Sequence, residues 1–226
     1  MKPIFYIVLI ILLTACKTEV KKEITTKAKK LSIPEKIAKA HGIDNWNKID
    51  KLNFTFNVDR DSSHFERSWS WKPKSNKVTL TTATDTLMYK RSETDSISLN
   101  ADKGFINDKY WLLAPFNLVW DKGIKEKIYI EKATAPISGE TLQKLTIVYG
   151  NDSGGYTPGD AYDFYFGDDY LIKEWVFRKE NASEPSLITT WEDYKEVNGL
   201  KIATSHVRKE GQWKLFFTGL EAYPAP

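Results

Sequence analysis

From Lys51 onward the chain returns repeatedly to one pattern, apolar residues alternating with polar ones at period two, and Leu52, Phe54, Phe56 and Val58 set it. Successive side chains of a strand point to opposite faces, so a run of this kind buries one face of a sheet and wets the other. Phe65, Arg67, Trp69 and Trp71 share a face in the same way, followed by Val78 and Leu80, Leu87 and Tyr89, and Ile97 and Leu99. After an interruption the pattern resumes at Ile128 and Ile130; Leu145, Ile147 and Tyr149; Tyr162, Phe164 and Phe166; and Trp175 and Phe177. Ile188 and Thr190, Ile202 and Thr204, and Trp213, Leu215 and Phe217 complete the series. Turn formers such as Lys72-Pro73-Lys74-Ser75-Asn76 separate the runs. One wet face is characteristic of antiparallel sheets, because parallel sheets are covered on both sides. The sequence predicts a mainly β, α+β domain of about 10–12 antiparallel strands over residues 32–226, without internal repeat or linker.

Two helical segments are expected beside the strands. Ser32-Ile33-Pro34-Glu35 combines a capping-box pair with proline in the first turn. Ile37, Ala38 and His41 give that helix an apolar stripe, Gly42 ends it, and Asp44 is placed to cap a short turn carrying Trp46 and Ile49. The second segment is the interruption at 107–123, where the run Tyr110 to Trp120 is apolar without period two. It reads as a helix capped by Asp108, broken near Pro115 and lying against a sheet.

The N-terminus carries an address. Ten apolar residues, Ile4 to Leu13, follow Lys2 and lead into Leu13-Thr14-Ala15-Cys16, which holds the only cysteine. A spanning helix needs about 20 apolar residues, so residues 1–15 read as a processed signal peptide. The tetrapeptide resembles the lipobox of bacterial lipoproteins, which implies that Cys16 carries diacylglycerol on sulfur and becomes the acylated first residue. An ordinary secretory signal with a coincidental cysteine, or an uncleaved anchor, is the alternative. Residues 16–31, with Lys17, Lys21, Lys22, Lys27, Lys29 and Lys30, read as the lipidated cysteine and a disordered tether. A basic tether is also drawn to anionic head groups. Lys17 after the cysteine resembles the pattern of lipoproteins sent to the outer membrane. The expected location is the cell envelope, on the outer membrane and facing the periplasm.

Removing residues 1–15 takes one lysine from 33 basic groups and leaves 32 against 30 acidic ones, a net charge of +2. Nucleic-acid binding calls for a clustered basic excess, so no nucleic-acid partner is expected. With the one thiol committed to lipid there are no disulfides to brace the fold. Stability has to come from a core, and eight tryptophans supply bulk for it.

An opening amphipathic helix, a long antiparallel series and an apolar helical insertion together resemble the LolA/LolB-type lipoprotein carriers and their Bacteroidetes-like lipoprotein relatives. The likeness lies in Ala40-His41-Gly42 with Trp46, Asp108-Lys109-Tyr110-Trp111 to Pro115-Phe116, Tyr162-Asp163-Phe164-Tyr165-Phe166, and Trp191-Glu192-Asp193-Tyr194. It spans nearly all of the chain after Cys16 and is one of pattern, without a catalytic motif. It implies a curved sheet forming a half-open β-barrel, with an apolar concave face lidded by helices.

Closing a curved sheet around a helix leaves an interior wider than side chains easily fill. Trp69, Trp71, Tyr110, Trp111, Phe116 and Trp120 are the candidate lining of a hydrophobic-ligand cavity, with core packing as their other role, and the run Tyr110 to Trp120 would be its lid. Asp152, Asp160 and Asp163, on the glycine-rich stretch Asn151 to Asp163, are candidate Ca²⁺ ligands. Their spacing is not that of an EF-hand, and Asn, Asp and Gly equally build solvated turns. The only histidines are His41, His64 and His206, and no Gly-x-Ser-x-Gly elbow accompanies them. No catalytic residue and no cofactor are assigned, and the chain reads as a non-enzyme. The first reading is a membrane-anchored envelope protein that binds a lipid or other hydrophobic small molecule. The second is a scaffold or interaction subunit with a filled core and an unidentified protein partner, and the third is a hydrolase using histidine and carboxylates.

Overall fold

A computed structural model describes residues 30–151 and 158–225. Cys16, the signal segment, residues 17–29 of the tether and Asp152 lie outside the described residues.

The first helix, α1 (Ile33–Ala40), begins where Ser32 and Glu35 cap each other. The Ser32 amide donates to Glu35 Oε2 at 2.7 Å, and the Glu35 amide donates to Ser32 Oγ at 3.4 Å. It ends at His41 and Gly42, and a 3-10 turn over Ile43–Lys48 follows. The N-cap of that turn is Gly42. Asp44, expected to cap it, lies inside it and pairs with Lys39 at the surface.

Four strands come next, β1 (Ile49–Arg60), β2 (Ser63–Lys72), β3 (Lys77–Thr81) and β4 (Thr86–Lys90), then the long helix α2 (Ser96–Trp120). Eight more follow it: β5 (Ile124–Thr134), β6 (Thr141–Tyr149), β7 (Ala161–Phe166), β8 (Ile172–Arg178), β9 (Leu187–Thr190), β10 (Glu192–Val197), β11 (Leu200–Val207) and β12 (Trp213–Pro224). All pairings are antiparallel. One sheet runs β10-β11-β12-β1-β2-β3-β4 and the other β5-β6-β7-β8-β9.

The two sheets meet where β9 passes into β10 with only Trp191 between them. Across this bend Thr189 bridges to Arg208, and the Val207 amide donates to Thr190 Oγ1 at 3.0 Å. At the other end β4 and β5 each have a strand on one flank only and do not pair with each other, so the barrel stays half open, and α2 connects these two free edges. The structure is thus mainly β, with an N-terminal helix, a central helix and an unclosed curved sheet.

Three expectations about the middle of the chain are corrected. Ile97 and Leu99 are not a strand but the first turn of α2, because Asp95 and Ser98 form a reciprocal cap and the Leu99 amide donates to Asp95 O at 2.8 Å. Asp108 is therefore not a cap and sits, buried, in the helix interior. The break comes at Leu113 (φ −123°, ψ 21°), two residues before Pro115. Proline lacks the amide for the carbonyl of Trp111 and its ring crowds that turn, so the distortion falls on the residues preceding it. In β5 the expected buried face is absent. Ile128 is 50% and Ile130 39% exposed, as follows for an edge strand covered on one flank only.

The core occupies the concave side. Leu52, Phe54, Trp69, Trp71 and Val78 face α2 from the seven-stranded sheet, and Ile147, Phe164 and Trp175 belong to the five-stranded one. Among the described residues no helix is long and apolar enough to cross a membrane.

Candidate functional site

Helix α2 is fastened to the seven-stranded half by two arginine–carboxylate clamps. Arg67 of β2 donates to Asp108 from Nε at 2.6 Å and from Nη2 at 2.7 Å, and Trp69 Nε1 donates to the same carboxylate at 2.8 Å. Burial pushes the Asp108 carboxyl up from its usual range, and Arg67 pulls it back. Arg91, just past β4, donates to Asp102 from Nε at 2.7 Å and Nη2 at 3.2 Å, and Tyr89 Oη joins at 3.1 Å. Aromatic packing fills this side. Phe105 lies 5.4 Å from both Trp69 and Trp71, and Trp46 lies 4.9 Å from Trp120 and 5.9 Å from Phe116, ring centre to ring centre.

Toward the five-stranded sheet the packing opens into a cavity of about 840 Å³. Ile106, Tyr110, Trp111 and Asn117 bring the helix to it. Tyr149, Tyr162, Trp175, Phe177 and Leu187 bring the sheet. On the helix these positions recur at intervals of about one and two turns, which places them on one side of α2. The aromatic rings touch one another, with Trp111 at 4.3 Å and Tyr162 at 5.3 Å from Trp175, and Tyr110 at 5.0 Å from Tyr162. Tyr149 Oη donates to Asp121 Oδ2 at 2.7 Å and lies 3.3 Å from the Tyr110 hydroxyl. Burial raises the pKa of all three tyrosines, so their hydroxyls are neutral at any physiological pH.

Charged residues complete the lining. Arg91, Lys109, Asp121, Lys122 and Asp160 border the cavity. Arg91, Lys109, Asp121 and Asp160 are half-buried and Lys122 is exposed, and Asp160 Oδ1 accepts from the Glu180 amide at 2.8 Å. Burial lowers the Lys109 ammonium to about 8, partly opposed by the charge of Asp121.

Of the six aromatic residues expected to line a ligand site, Tyr110 and Trp111 border this cavity. Trp69, Trp71, Phe116 and Trp120 pack on the clamped side of α2. Of the candidate Ca²⁺ ligands, Asp160 is engaged as described, and Asp163 is buried, accepts from Thr146 Oγ1 at 2.6 Å and pairs with Arg178. Among the described residues no three His, Cys, Asp or Glu side chains converge as a metal site.

The histidines lie elsewhere. His41 sits 2.8 Å from Ile37 O through Nδ1 and 3.1 Å from Tyr194 Oη through Nε2, and burial lowers it to about 4. His206, enclosed by Trp111, Trp191 and Phe217, is lowered to about 3 by burial. His64 pairs on the surface with Asp59 at 2.6 Å.

Reading the sequence passed over Lys109, Arg91, Asn117 and Asp121 as lining residues. Starting the helix at Asp95 would have placed Ile106, Tyr110, Asn117 and Asp121 on one face.

No family model matches the chain, and no curated protein does. Solved structures that it resembles include a LolA superfamily protein from Nitrosomonas europaea, with TM-score 0.49 and 11% identity over 87% of this chain and 96% of that one. A DUF1329 family protein from Desulfovibrio piger gives 0.45 and 10%, covering 84% and 91%. A domain described as an outer membrane lipoprotein-sorting protein, from Vibrio parahaemolyticus, gives 0.45 and 10%, covering 82% and 90%.

Proposed function

We propose that this protein is an envelope lipoprotein, anchored through acylated Cys16, that holds a hydrophobic ligand between α2 and the five-stranded sheet and performs no catalysis. The observation that carries the reading is the cavity. Its volume of about 840 Å³ lies within the range of small-molecule sites, roughly 300–1,000 Å³. Its sheet wall, formed by Tyr149, Tyr162, Trp175, Phe177 and Leu187, is apolar and neutral, which favours an apolar chain there, while charged residues border the rest. No histidine lines it, which weighs against the hydrolase reading. The packed side of α2 would suit a scaffold equally well, so the cavity is what separates the two binding classes.

The test uses the protein purified without its signal peptide and stripped of lipid. N-phenyl-1-naphthylamine, a neutral probe that fluoresces in apolar surroundings, is expected to bind at one site. Leu187→Trp, which fills the cavity from the sheet side, is expected to weaken that binding at least tenfold at unchanged stability. Absence of probe binding, or binding indifferent to Leu187→Trp, would overturn the reading. Native mass spectrometry of protein taken from cells is expected to show a bound lipid.

A further inference from the structure

The charged groups around the cavity are not alike. Arg91 is consumed by two hydrogen bonds to Asp102, Asp121 accepts from Tyr149, and Asp160 accepts from the Glu180 amide. Lys122 is exposed and solvated. Lys109 differs. It is half-buried on α2, and among the described residues its ammonium has no hydrogen bond and no ion pair. The contact it does make is with the Trp71 ring, whose centre lies 5.9 Å from Nζ, the outer limit of a cation–π contact.

An ammonium withdrawn from water without a counter-ion is costly, and folded proteins ordinarily pair such groups or carry the charge out to solvent on the flexible stem. Lys109 does neither fully. Its pKa, drawn down by burial, records that cost. An ammonium with unused hydrogen-bonding capacity therefore borders a cavity whose sheet wall is aromatic.

Resting on the ligand-binding reading above, we propose that the ligand is an amphiphile with one anionic head group, carboxylate or phosphate, whose head pairs with Lys109 while its acyl or alkyl chain lies against Tyr162, Phe177 and Leu187. Both head groups offer the same chemistry to an ammonium, a charge-assisted hydrogen bond of short reach. Of the other charges at the cavity, Arg91, Asp121 and Asp160 are already engaged, and Lys122 adds a second cation.

Displacement of N-phenyl-1-naphthylamine at pH 7 tests this, because the probe is neutral and reports the cavity without needing Lys109. The competitors are laurate, dodecyl phosphate and dodecanol, with acetate and inorganic phosphate as headgroup-only controls. The proposal expects laurate or dodecyl phosphate to displace the probe at concentrations about tenfold or more below dodecanol, as one charged hydrogen bond provides. Whichever of the two is stronger identifies the head group. In Lys109→Met, with each displacement referred to that variant's own probe affinity, the advantage over dodecanol is expected to disappear, and Lys109→Arg is expected to restore it. Equal displacement by dodecanol, an advantage that survives Lys109→Met, or displacement by acetate or phosphate alone would each overturn the proposal while leaving the ligand-binding reading standing. Failure of the probe itself to bind would remove that reading first.

Discussion

The Arg67 guanidinium holds the Asp108 carboxylate through two parallel hydrogen bonds, joining β2 to the middle of α2 across 41 positions of sequence. The approach is so close that a Cβ on Gly104 would stand 2.6 Å from Arg67 Nη1. This clamp and its Arg91–Asp102 counterpart seat α2 on one sheet, which leaves the cavity between the helix and the other.

Breaking the clamp from one side is predicted to cost far more than deleting it. Asp108→Asn leaves a guanidinium and an indole facing a neutral amide, with an expected loss of about 3 kcal/mol or more in urea unfolding. The double replacement Arg67→Met with Asp108→Leu is expected to recover most of that loss, since apolar groups of similar volume need no partner there. A double-mutant cycle in which the two losses simply add would show that the pair is not coupled.

Lys109 should trade stability for binding. Its folded pKa, about 8, is lower than the ordinary 10.5, so the unfolded chain holds a proton more tightly than the folded one. The burden is fully present below pH 8, shrinks as pH rises through the window from 8 to 10.5, and vanishes above it. Lys109→Met is therefore expected to stabilise the fold near pH 7, by on the order of 2 kcal/mol after allowance for solvent screening. The gap from the parent should close toward pH 10.5 in denaturant titrations. Preference for anionic over neutral amphiphiles should weaken above pH 8 as the free protein loses the ammonium.

Acid is predicted to unfold the domain through two histidines. His41 and His206 are neutral when folded, with pKa values of about 4 and 3 against 6.5 in the unfolded chain. Above pH 6.5 neither state is protonated there. As pH falls from 6.5 toward 4 the unfolded state takes up protons that the folded state refuses, and stability is lost, by several kcal/mol at roughly 1.4 kcal/mol per unit of pH and group. Urea midpoints at pH 7, 5.5 and 4.5 should fall accordingly. His206→Phe should reduce the slope, because it removes one of the two titrating groups, though it also loses the Nδ1 contact with Thr190 O at 3.2 Å. An unchanged slope in that variant would exclude His206 as a contributor.

Much of this architecture was legible locally. Period two located the strands that carry Leu52 to Val58 and Trp69 to Leu80, and the Ser32–Glu35 pair marked the first helix, because both signals reside in neighbouring residues. The start of α2 was not. Its cap, Asp95 with Ser98, is local, but Ser96 to Asp108 is poor in strong helix formers, and the arginines that also hold it lie 11 and 41 positions away. Two alternating residues, Ile97 and Leu99, were too few to tell strand from helix. The cavity was hidden for a related reason. Which side of α2 fills and which stays open depends on how two sheets meet at Trp191, and no local pattern reports that. Thus Trp69, Trp71, Phe116 and Trp120 share the composition expected of a lining but fall on the packed side, while Lys109 looked like any surface lysine.

The contact between α1 and the β10–β11 hairpin turns on one missing methyl group. Gly42 has φ +91°, and a Cβ there would stand 2.0 Å from the backbone oxygen of Gly199, which also accepts from Asn45 Nδ2 at 3.1 Å. Gly139, in the turn before β6, has a similar φ of +74° but open space around the corresponding position. Alanine at either site meets the same left-handed backbone penalty, about 1–2 kcal/mol. Only Gly42→Ala must also push two backbones apart and break the Asn45 hydrogen bond. Gly42→Ala is therefore predicted to destabilise the domain by at least about 2 kcal/mol more than Gly139→Ala, a difference beyond the shared strain of the backbone. Hydrogen exchange should show where the damage falls, with faster exchange of the Lys201 amide, which donates to His41 O at 2.9 Å. Equal losses in the two variants would mean that the helix and the hairpin yield freely, and that their close approach contributes little to holding the N-terminal helix in place.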